Sequence, residues 1–246
     1  MTILQKWLYY IVLNDLLFFK YGYDFFDTYE KNERVIVLQS IEHYERNEHM
    51  SIWNAELFET LSTFVASEHS KQVYKGADGR AAPYYLHLTQ VCSRAMRAAL
   101  ERSDLDINKI MACALLHDVI EDCTDTKAEY DRISQFILRV CGENILSGVL
   151  ALSKQDIFDV NGAKDKSAMM KDSLKRIQAQ PAEVWVVKLA DRICNLQEPP
   201  PHWNSNKRQR YLEEAQFIYQ ELHSASPLLA QELKNRIHQY QQYIDV

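Results

Sequence analysis

The stretch that most constrains the fold of this chain is residues 107–125, an apolar segment that ends in a cluster of acids. Its first half, up to Leu115, repeats apolar residues at three- and four-residue spacing, which predicts a buried helix. Thr126 and Glu129 have the spacing of a capping box, the signal that opens a new helix. The first helix should therefore end near residues 122–123, and a second helix should follow at once.

Four side chains that can take part in chemistry crowd the end of this predicted helix: His117, Asp118, Glu121 and Asp122. A carboxylate in the last turn of a helix faces the negative end of its dipole, at a cost of roughly a few tenths of a kcal/mol, so a cation is needed nearby. Imidazole and carboxylate together suit a divalent transition metal. A solvated acidic helix end would explain the same residues about equally well, but the apolar run before them favours a site that begins in the core.

Two more polar residues lie in predicted helices, and the local pattern leaves their roles open. Asp191 stands among apolar neighbours within residues 182–197, where an unpaired carboxylate would be costly to bury. Arg192 could pair with it in a simple salt bridge. His87 stands at or near the start of a helix that should end at about Glu101, a place where a single histidine is more often structural than a metal ligand.

Three motifs in this order resemble the HD-domain hydrolases of the RelA/SpoT homologue family. They are Pro83-Tyr84-x-x-His87, the HDxxED string at residues 117–122, and the segment 187–196 around Asp191. The resemblance covers roughly residues 61–215 and is closest to the small stand-alone alarmone hydrolases, which carry no synthetase domain. It implies an all-α fold, the HD-domain helical bundle.

The resemblance also implies a role for each matching residue. One divalent ion, Mn²⁺ in the first place although Zn²⁺, Fe²⁺ and Co²⁺ suit the same donors, would be bound by His87, His117, Asp118 and Asp191. Glu121 and Asp122 would orient a water molecule and transfer its proton. Contacts to a nucleotide would come from Lys75, Asn195, Lys207 and Arg210. No histidine stands between Asp118 and Asp191, which favours a single ion over the pair found in binuclear HD enzymes.

The implied reaction removes the 3′-pyrophosphate from ppGpp or pppGpp and gives GDP or GTP plus pyrophosphate, so the expected partner is a small-molecule nucleotide polyphosphate. Two alternatives stay open: an HD phosphohydrolase that acts on ppApp, NADPH or a nucleoside monophosphate, and a non-catalytic HD module that binds the alarmone. Glu121 and Asp122 argue against the second, because binding alone does not need them. A di-iron bundle is excluded, since none of the eight histidines has Glu three residues before it.

This chain departs from the family pattern at three places near His87. Tyr74 stands where relatives usually carry Arg, and Leu88 stands where they carry Pro. The basic loop at residues 71–83 is about three residues longer than the usual pattern. The longer loop could favour a different nucleotide, and a solvated basic loop is its simplest alternative interpretation.

Composition narrows the class of protein and its partners. The 246 residues are 47% hydrophobic and 25% charged, which is typical of a chain that buries one good core, and the net charge of −6 argues against general nucleic-acid binding. The five cysteines form no CxxC pair, which indicates reduced thiols and a cytoplasmic location. Residues 7–19 are apolar but too few to cross a bilayer, so no membrane association is expected. The sequence leaves the oligomeric state open.

Two parts are expected along the chain. Residues 1–54, rich in aromatic side chains, should form a helical accessory segment that packs on the core rather than on a second subunit. Residues 55–246 should form the HD hydrolase domain.

Overall fold

The computed structural model describes residues 53–75 and 80–244, with the side chain of Lys75 left out. The predicted accessory segment, residues 1–54, therefore lies almost entirely outside the described residues. Within the described part, the chain is built of helices and one small hairpin, which confirms the all-α prediction. None of the described helices combines the length and the apolar character that a membrane span requires.

The elements follow one another in a simple order. The helices are α1 (Ala55–Glu68), α2 (Tyr85–Glu101), α3 (Ile107–Leu116), α4 (Val119–Asp122), α5 (Lys127–Cys141), α6 (Glu143–Leu152), α7 (Lys166–Gln178), α8 (Ala182–Asn195), α9 (Ser205–Leu222) and α10 (Pro227–Tyr240). Two 3₁₀ turns lie at His223–Ala225 and Gln241–Tyr243. The antiparallel strands β1 (Val73–Lys75) and β2 (Ala81–Pro83) join α1 to α2. This hairpin occupies the segment that was expected to be a loop.

Local signals in the sequence set several helix ends. The predicted capping box forms at the start of α5, where the Thr126 hydroxyl accepts from the Glu129 amide and the Glu129 carboxylate accepts from the Thr126 amide. Gly142 ends α5 with φ of +83°, a backbone conformation that glycine adopts without strain. Ser226 caps α10, whose first residue is Pro227.

Two helices, α3 and α8, form the centre of the core. Every residue of α3 from Ile110 to Leu116 is buried, and so is α8 from Val186 to Cys194. A helix that is buried on all sides must be covered all round, and α3 is packed against α1, α2, α6 and α8. The ends of these central helices therefore bring polar side chains into the interior.

The end of α3 differs from the prediction. The helix ends at Leu116, His117 and Asp118 form a turn, and the single-turn helix α4 carries Glu121 and Asp122. The expectation of one continuous helix to residues 122–123 is therefore wrong. Because the helix is interrupted here, the four polar side chains do not lie on the last turn of α3. His117 and Asp118 lie in the turn itself, and Glu121 and Asp122 lie on the helix that follows it.

Candidate active site

His117 lies directly after α3 and is almost completely buried. Its Nδ1 lies 2.8 Å from the carbonyl oxygen of Ala114, which can only accept, so Nδ1 carries a proton and donates. Nε2 then points away from the helix, 2.8 Å from Asp118 Oδ2 and 3.7 Å from Asp191 Oδ1. This tautomer leaves the Nε2 lone pair free to bind a metal, an arrangement that is typical of metal-binding histidines.

His87 approaches the same carboxylates from the first turn of α2. Its Nε2 lies 3.6 Å from Asp118 Oδ2 and 3.6 Å from Asp191 Oδ1. The side chain is buried, yet neither ring nitrogen has a hydrogen-bond partner among the residues that the structure describes. A buried imidazole without partners is costly unless something else satisfies it.

Asp191 lies in the middle of α8 and is buried. Its Oδ2 accepts from Lys188 Nζ at 3.0 Å, and its Oδ1 accepts from Asn195 Nδ2 at 2.5 Å. The salt bridge to Arg192 that the sequence allowed is not formed. Arg192 instead pairs with Glu214, because its side chain extends away from the aspartate across the ring of Tyr211.

The four predicted metal ligands are therefore brought together. Donor atoms of His87, His117 and Asp191 all lie within 4.8 Å of one another, and Asp118 Oδ2 lies beside both histidines. Two imidazole nitrogens without hydrogen-bond partners and two carboxylates form a donor set that suits a divalent ion. The residues thus fit a divalent metal by their chemistry and by their separation.

The electrostatics of the centre also favour a cation. Burial lowers the pKa of His117, but Asp118 and Asp191 outweigh it and raise that pKa to about 10. Burial opposes the ionised form of Asp191, yet Lys188 and the two histidines hold the pKa of its carboxyl well below its usual range. Both aspartates therefore stay ionised, and positive charge is needed beside them, as a proton on an imidazole or as a bound cation.

Glu121 and Asp122 lie outside the metal centre and line a cleft of about 980 Å³. Glu121 Oε2 accepts from the backbone amide of Lys154 at 2.9 Å, and its Oε1 lies 3.5 Å from Lys154 Nζ. Burial, followed by the charges of Asp118 and Glu121, raises the pKa of Asp122 to about 6. Glu121 is thus paired with a cation, and Asp122 is close to titration at neutral pH.

The predicted nucleotide contacts divide into three groups. Lys207 and Arg210 line the cleft beside the two acids, and Lys207 Nζ lies 4.2 Å from the centroid of the Trp203 ring. Asn195 does not line the cleft, because its amide is bound to Asp191. The side chain of Lys75 lies outside the described residues.

Sequence reasoning missed several residues of this cleft. Three of them are lysines that lie between the end of α6 and the first residue of α7: Lys154, Lys164 and Lys166. Trp203 and Tyr211 add aromatic surface. The three lysines within one short segment were the available signal, but their approach to α4 depends on tertiary packing.

Tyr84 was also missed as a site residue. Its hydroxyl donates to Asp118 Oδ2 at 2.6 Å, and burial together with Asp118 raises the pKa of the phenol above its ordinary value, so the proton is retained. The Pro-Tyr-x-x-His motif contained this residue, but nothing in the local pattern assigns it a partner.

Known proteins resemble this chain over most of its length. Residues 65–228 match the family described as HD domain. The chain is 28% identical over 189 residues to the zebrafish guanosine-3′,5′-bis(diphosphate) 3′-pyrophosphohydrolase MESH1, covering 73% of this chain and 91% of that protein. The human MESH1 protein is 26% identical, with coverage of 74% and 92%. A GTP pyrophosphokinase, rsh, of Brucella ovis is 30% identical over 68% of this chain, but the match spans only 20% of that longer protein.

The fold has a counterpart among solved structures. A structure described as a metazoan ortholog of SpoT that hydrolyzes ppGpp superposes with a TM-score of 0.58 and 20% identity, covering 77% of this chain and 98% of the other. At this identity the likeness concerns the fold alone.

Proposed function

We propose that this chain, which belongs to the HD domain family, is a metal-dependent phosphohydrolase that removes the 3′-pyrophosphate of ppGpp or pppGpp to give GDP or GTP plus pyrophosphate. The observation that carries the proposal is that two histidines and two aspartates, a donor set that fits a divalent ion, meet near two acids at the edge of a cation-lined cleft. The relatives named as guanosine-3′,5′-bis(diphosphate) 3′-pyrophosphohydrolases, aligned over most of this chain, support the choice of substrate.

The metal would be one divalent ion, Mn²⁺ by resemblance, held by His87, His117, Asp118 and Asp191. A bound divalent ion lowers the pKa of a coordinated water molecule and offsets phosphate charge. The protein's own contribution is to keep the His117 imidazole in the binding tautomer and both aspartates ionised. The hydrogen bond from His117 to Ala114 and the ion pair from Lys188 to Asp191 serve these ends.

Glu121 and Asp122 would transfer the proton of the attacking water molecule. Glu121, fixed by two contacts to Lys154, is oriented to accept a proton from the attacking water. Asp122, with a pKa of about 6, can hold a proton at neutral pH often enough to pass it to the departing oxygen. Such a pair typically contributes about 10²–10⁴-fold to a rate.

The cleft supplies charge for a polyphosphate and surface for a base. Lys166, Lys207 and Arg210 line it and form no ion pair with any described residue, so their charges are available to phosphate oxygens. Trp203 and Tyr211 meet edge to face, with ring centroids 5.1 Å apart, and form an aromatic wall against which a nucleobase can pack. The small partner is therefore a nucleotide, and a cytoplasmic location stays a prediction.

The direct test is hydrolysis of ppGpp by the full chain with Mn²⁺, with GDP and pyrophosphate separated by anion-exchange chromatography. Glu121→Gln and Asp122→Asn should each reduce turnover by about 10²–10⁴-fold while the bound metal content stays unchanged. Glu143→Gln, a change in the first turn of α6 away from the cleft, is the matched control and should keep full activity.

The same assay separates the alternatives. Tyr74, which stands where relatives usually carry Arg, is uncharged and its hydroxyl accepts from Gln197 Nε2 at 2.6 Å, so another nucleotide deserves a trial. ppApp, NADPH and nucleoside monophosphates should be tested in parallel with ppGpp. Turnover of one of these and inertness toward every 3′-pyrophosphate would contradict the proposal. Tight binding of ppGpp without turnover would favour the non-catalytic module.

A further inference from the structure

We propose that Tyr84 is a positioning residue that sets the affinity of the metal centre by holding the Asp118 carboxylate in place. The inference deepens the proposed function, since it concerns the same site, but it needs only the metal centre and no particular substrate. Its starting point is the 2.6 Å hydrogen bond that the Tyr84 hydroxyl donates to Asp118 Oδ2. That oxygen also lies 2.8 Å from His117 Nε2.

Asp118 is the ligand that most needs external support. It lies in the turn between α3 and α4, with φ of −103° and ψ of −7°, and its side chain makes no capping hydrogen bond. Asp191, by contrast, projects from the middle of α8 and is held by both Lys188 and Asn195. Among the described residues, Tyr84 is the one that donates a hydrogen bond to the Asp118 carboxylate. Removing this donor therefore frees the Asp118 rotamer.

Tyr84 is itself firmly held, so it can transmit position. Its ring stacks on His69, with centroids 4.9 Å apart and an interplanar angle of 19°. Its backbone amide donates to the carbonyl of Gln72 at 3.2 Å. Its own carbonyl accepts from the amide of His87 at 2.8 Å, at the start of α2. Tyr84 therefore contacts two of the predicted metal ligands. Its hydroxyl binds the Asp118 side chain, and its carbonyl binds the backbone amide of His87.

The same cluster reaches the outer acids. Gln72 Oε1 lies 2.8 Å from His69 Nδ1, and its Nε2 donates to the backbone carbonyl of Asp122 at 2.9 Å. The segment between α1 and β1 thus holds the end of α4 as well as the ring of Tyr84. The buried His69 and the half-buried Gln72 and Tyr84 together support the whole HDxxED segment.

The experiment compares two neighbouring tyrosines. Tyr84→Phe removes the hydroxyl but keeps the ring that stacks on His69, so the fold should be retained. Tyr85→Phe removes the same atom from the next residue, whose hydroxyl has no hydrogen bond in the described part of the chain. Mn²⁺ is titrated into each metal-free full-length protein by calorimetry, with the free ion followed by electron paramagnetic resonance. Metal-free thermal unfolding checks that each variant is folded.

We expect the dissociation constant for Mn²⁺ to rise by about 10–100-fold in Tyr84→Phe, the range typical for loss of a residue that orients a metal ligand. The dissociation constant of Tyr85→Phe for Mn²⁺ should stay within about twofold of that of the unchanged protein, because this hydroxyl does not orient a metal ligand. Equal dissociation constants for all three proteins would overturn the inference. If the unchanged protein binds Mn²⁺ but hydrolyses no 3′-pyrophosphate, the proposed function fails while the comparison of affinities still decides the role of Tyr84.

Discussion

Lys154 contacts both carboxylate oxygens of Glu121: its backbone amide lies 2.9 Å from Oε2, and its Nζ lies 3.5 Å from Oε1. The lysine follows α6, whereas the glutamate lies on α4, so the contact joins two separate parts of the chain. Burial lowers the pKa of Lys154, but Glu121 and Asp191 outweigh it and raise that pKa, so the ammonium group stays charged. Glu121 is thereby held in place at the edge of the cleft.

Lys154→Gln should lower kcat by up to about fivefold, because a partly exposed ion pair contributes up to about 1 kcal/mol. Some activity should remain, since the backbone amide still holds Oε2. Lys164→Gln is the matched control: it lines the same cleft but pairs with Asp156 at 2.7 Å. Steady-state kinetics with ppGpp would show the difference. A rise in KM alone, equal for both variants, would mean that Lys154 binds substrate and does not position Glu121.

The predicted metal ligands that the structure brings together are those whose chemistry is marked by a local pattern. His117 and Asp118 follow an apolar run, and Asp191 is a carboxylate inside a buried helix, so each is conspicuous without a structure. The structure confirms that these residues meet. The residues that were missed, such as Lys154 and Tyr84, look like ordinary polar side chains, and only the packing of distant segments gives them partners.

The break after Leu116 shows a different limit of sequence reasoning. The residues from His117 to Asp122 continue a plausible helical pattern, and nothing local forbids a longer helix. In the structure, Tyr84 binds Asp118 and Gln72 binds the carbonyl of Asp122, and both come from the segment before α2. Tertiary hydrogen bonds of this kind can outweigh helix propensity, which amounts to a few tenths of a kcal/mol per residue.

Metal binding should be visible as thermal stabilisation. An ion that binds only the folded state, at a free concentration about 100 times its dissociation constant, adds about 2.7 kcal/mol to the free energy of unfolding. For a domain of this size, that raises Tm by roughly 5–11 °C. Mn²⁺ should produce this shift in the unchanged protein, and a chelator should reverse it. Differential scanning fluorimetry measures both.

Two histidine variants decide where the ion binds. His117→Ala should abolish the thermal shift, because it removes a predicted metal ligand. The Nε2 atom of His117 has no hydrogen-bond partner among the described residues. His223→Ala, an exposed histidine in the turn after α9, should keep the full shift. The same shift in both variants, with unchanged metal content by elemental analysis, would place the ion elsewhere and remove the basis of the metal centre.

Asp122 predicts a pH-dependent stability in the metal-free protein. Its pKa is raised from 3.8 to about 6, so the folded state resists ionisation and loses stability as the pH rises through that interval. Asp122→Asn should therefore unfold at higher urea concentration than the unchanged protein above about pH 6, by about 1 kcal/mol after allowance for solvent screening. Below pH 3.8 the difference should vanish. A stabilisation that is the same at pH 4 and pH 8 would show that the carboxylate charge is not its cause.

Gly148, in the middle of α6, predicts a test of the core that is independent of metal and substrate. A Cβ added there would lie 3.0 Å from Val184 Cγ2 and 3.1 Å from Cys113 Sγ, and both neighbours are fully buried. Ala at this position gains about 1 kcal/mol in helix propensity relative to Gly. Overpacking costs about 1–3 kcal/mol, and Val184 has little rotamer freedom to move aside because it lies in a helix. Gly148→Ala should therefore lower the free energy of unfolding by about 1 kcal/mol in urea titrations. The penalty should shrink in a Cys113→Ala background, where the sulfur is gone; an undiminished penalty would show that Val184 alone sets the limit.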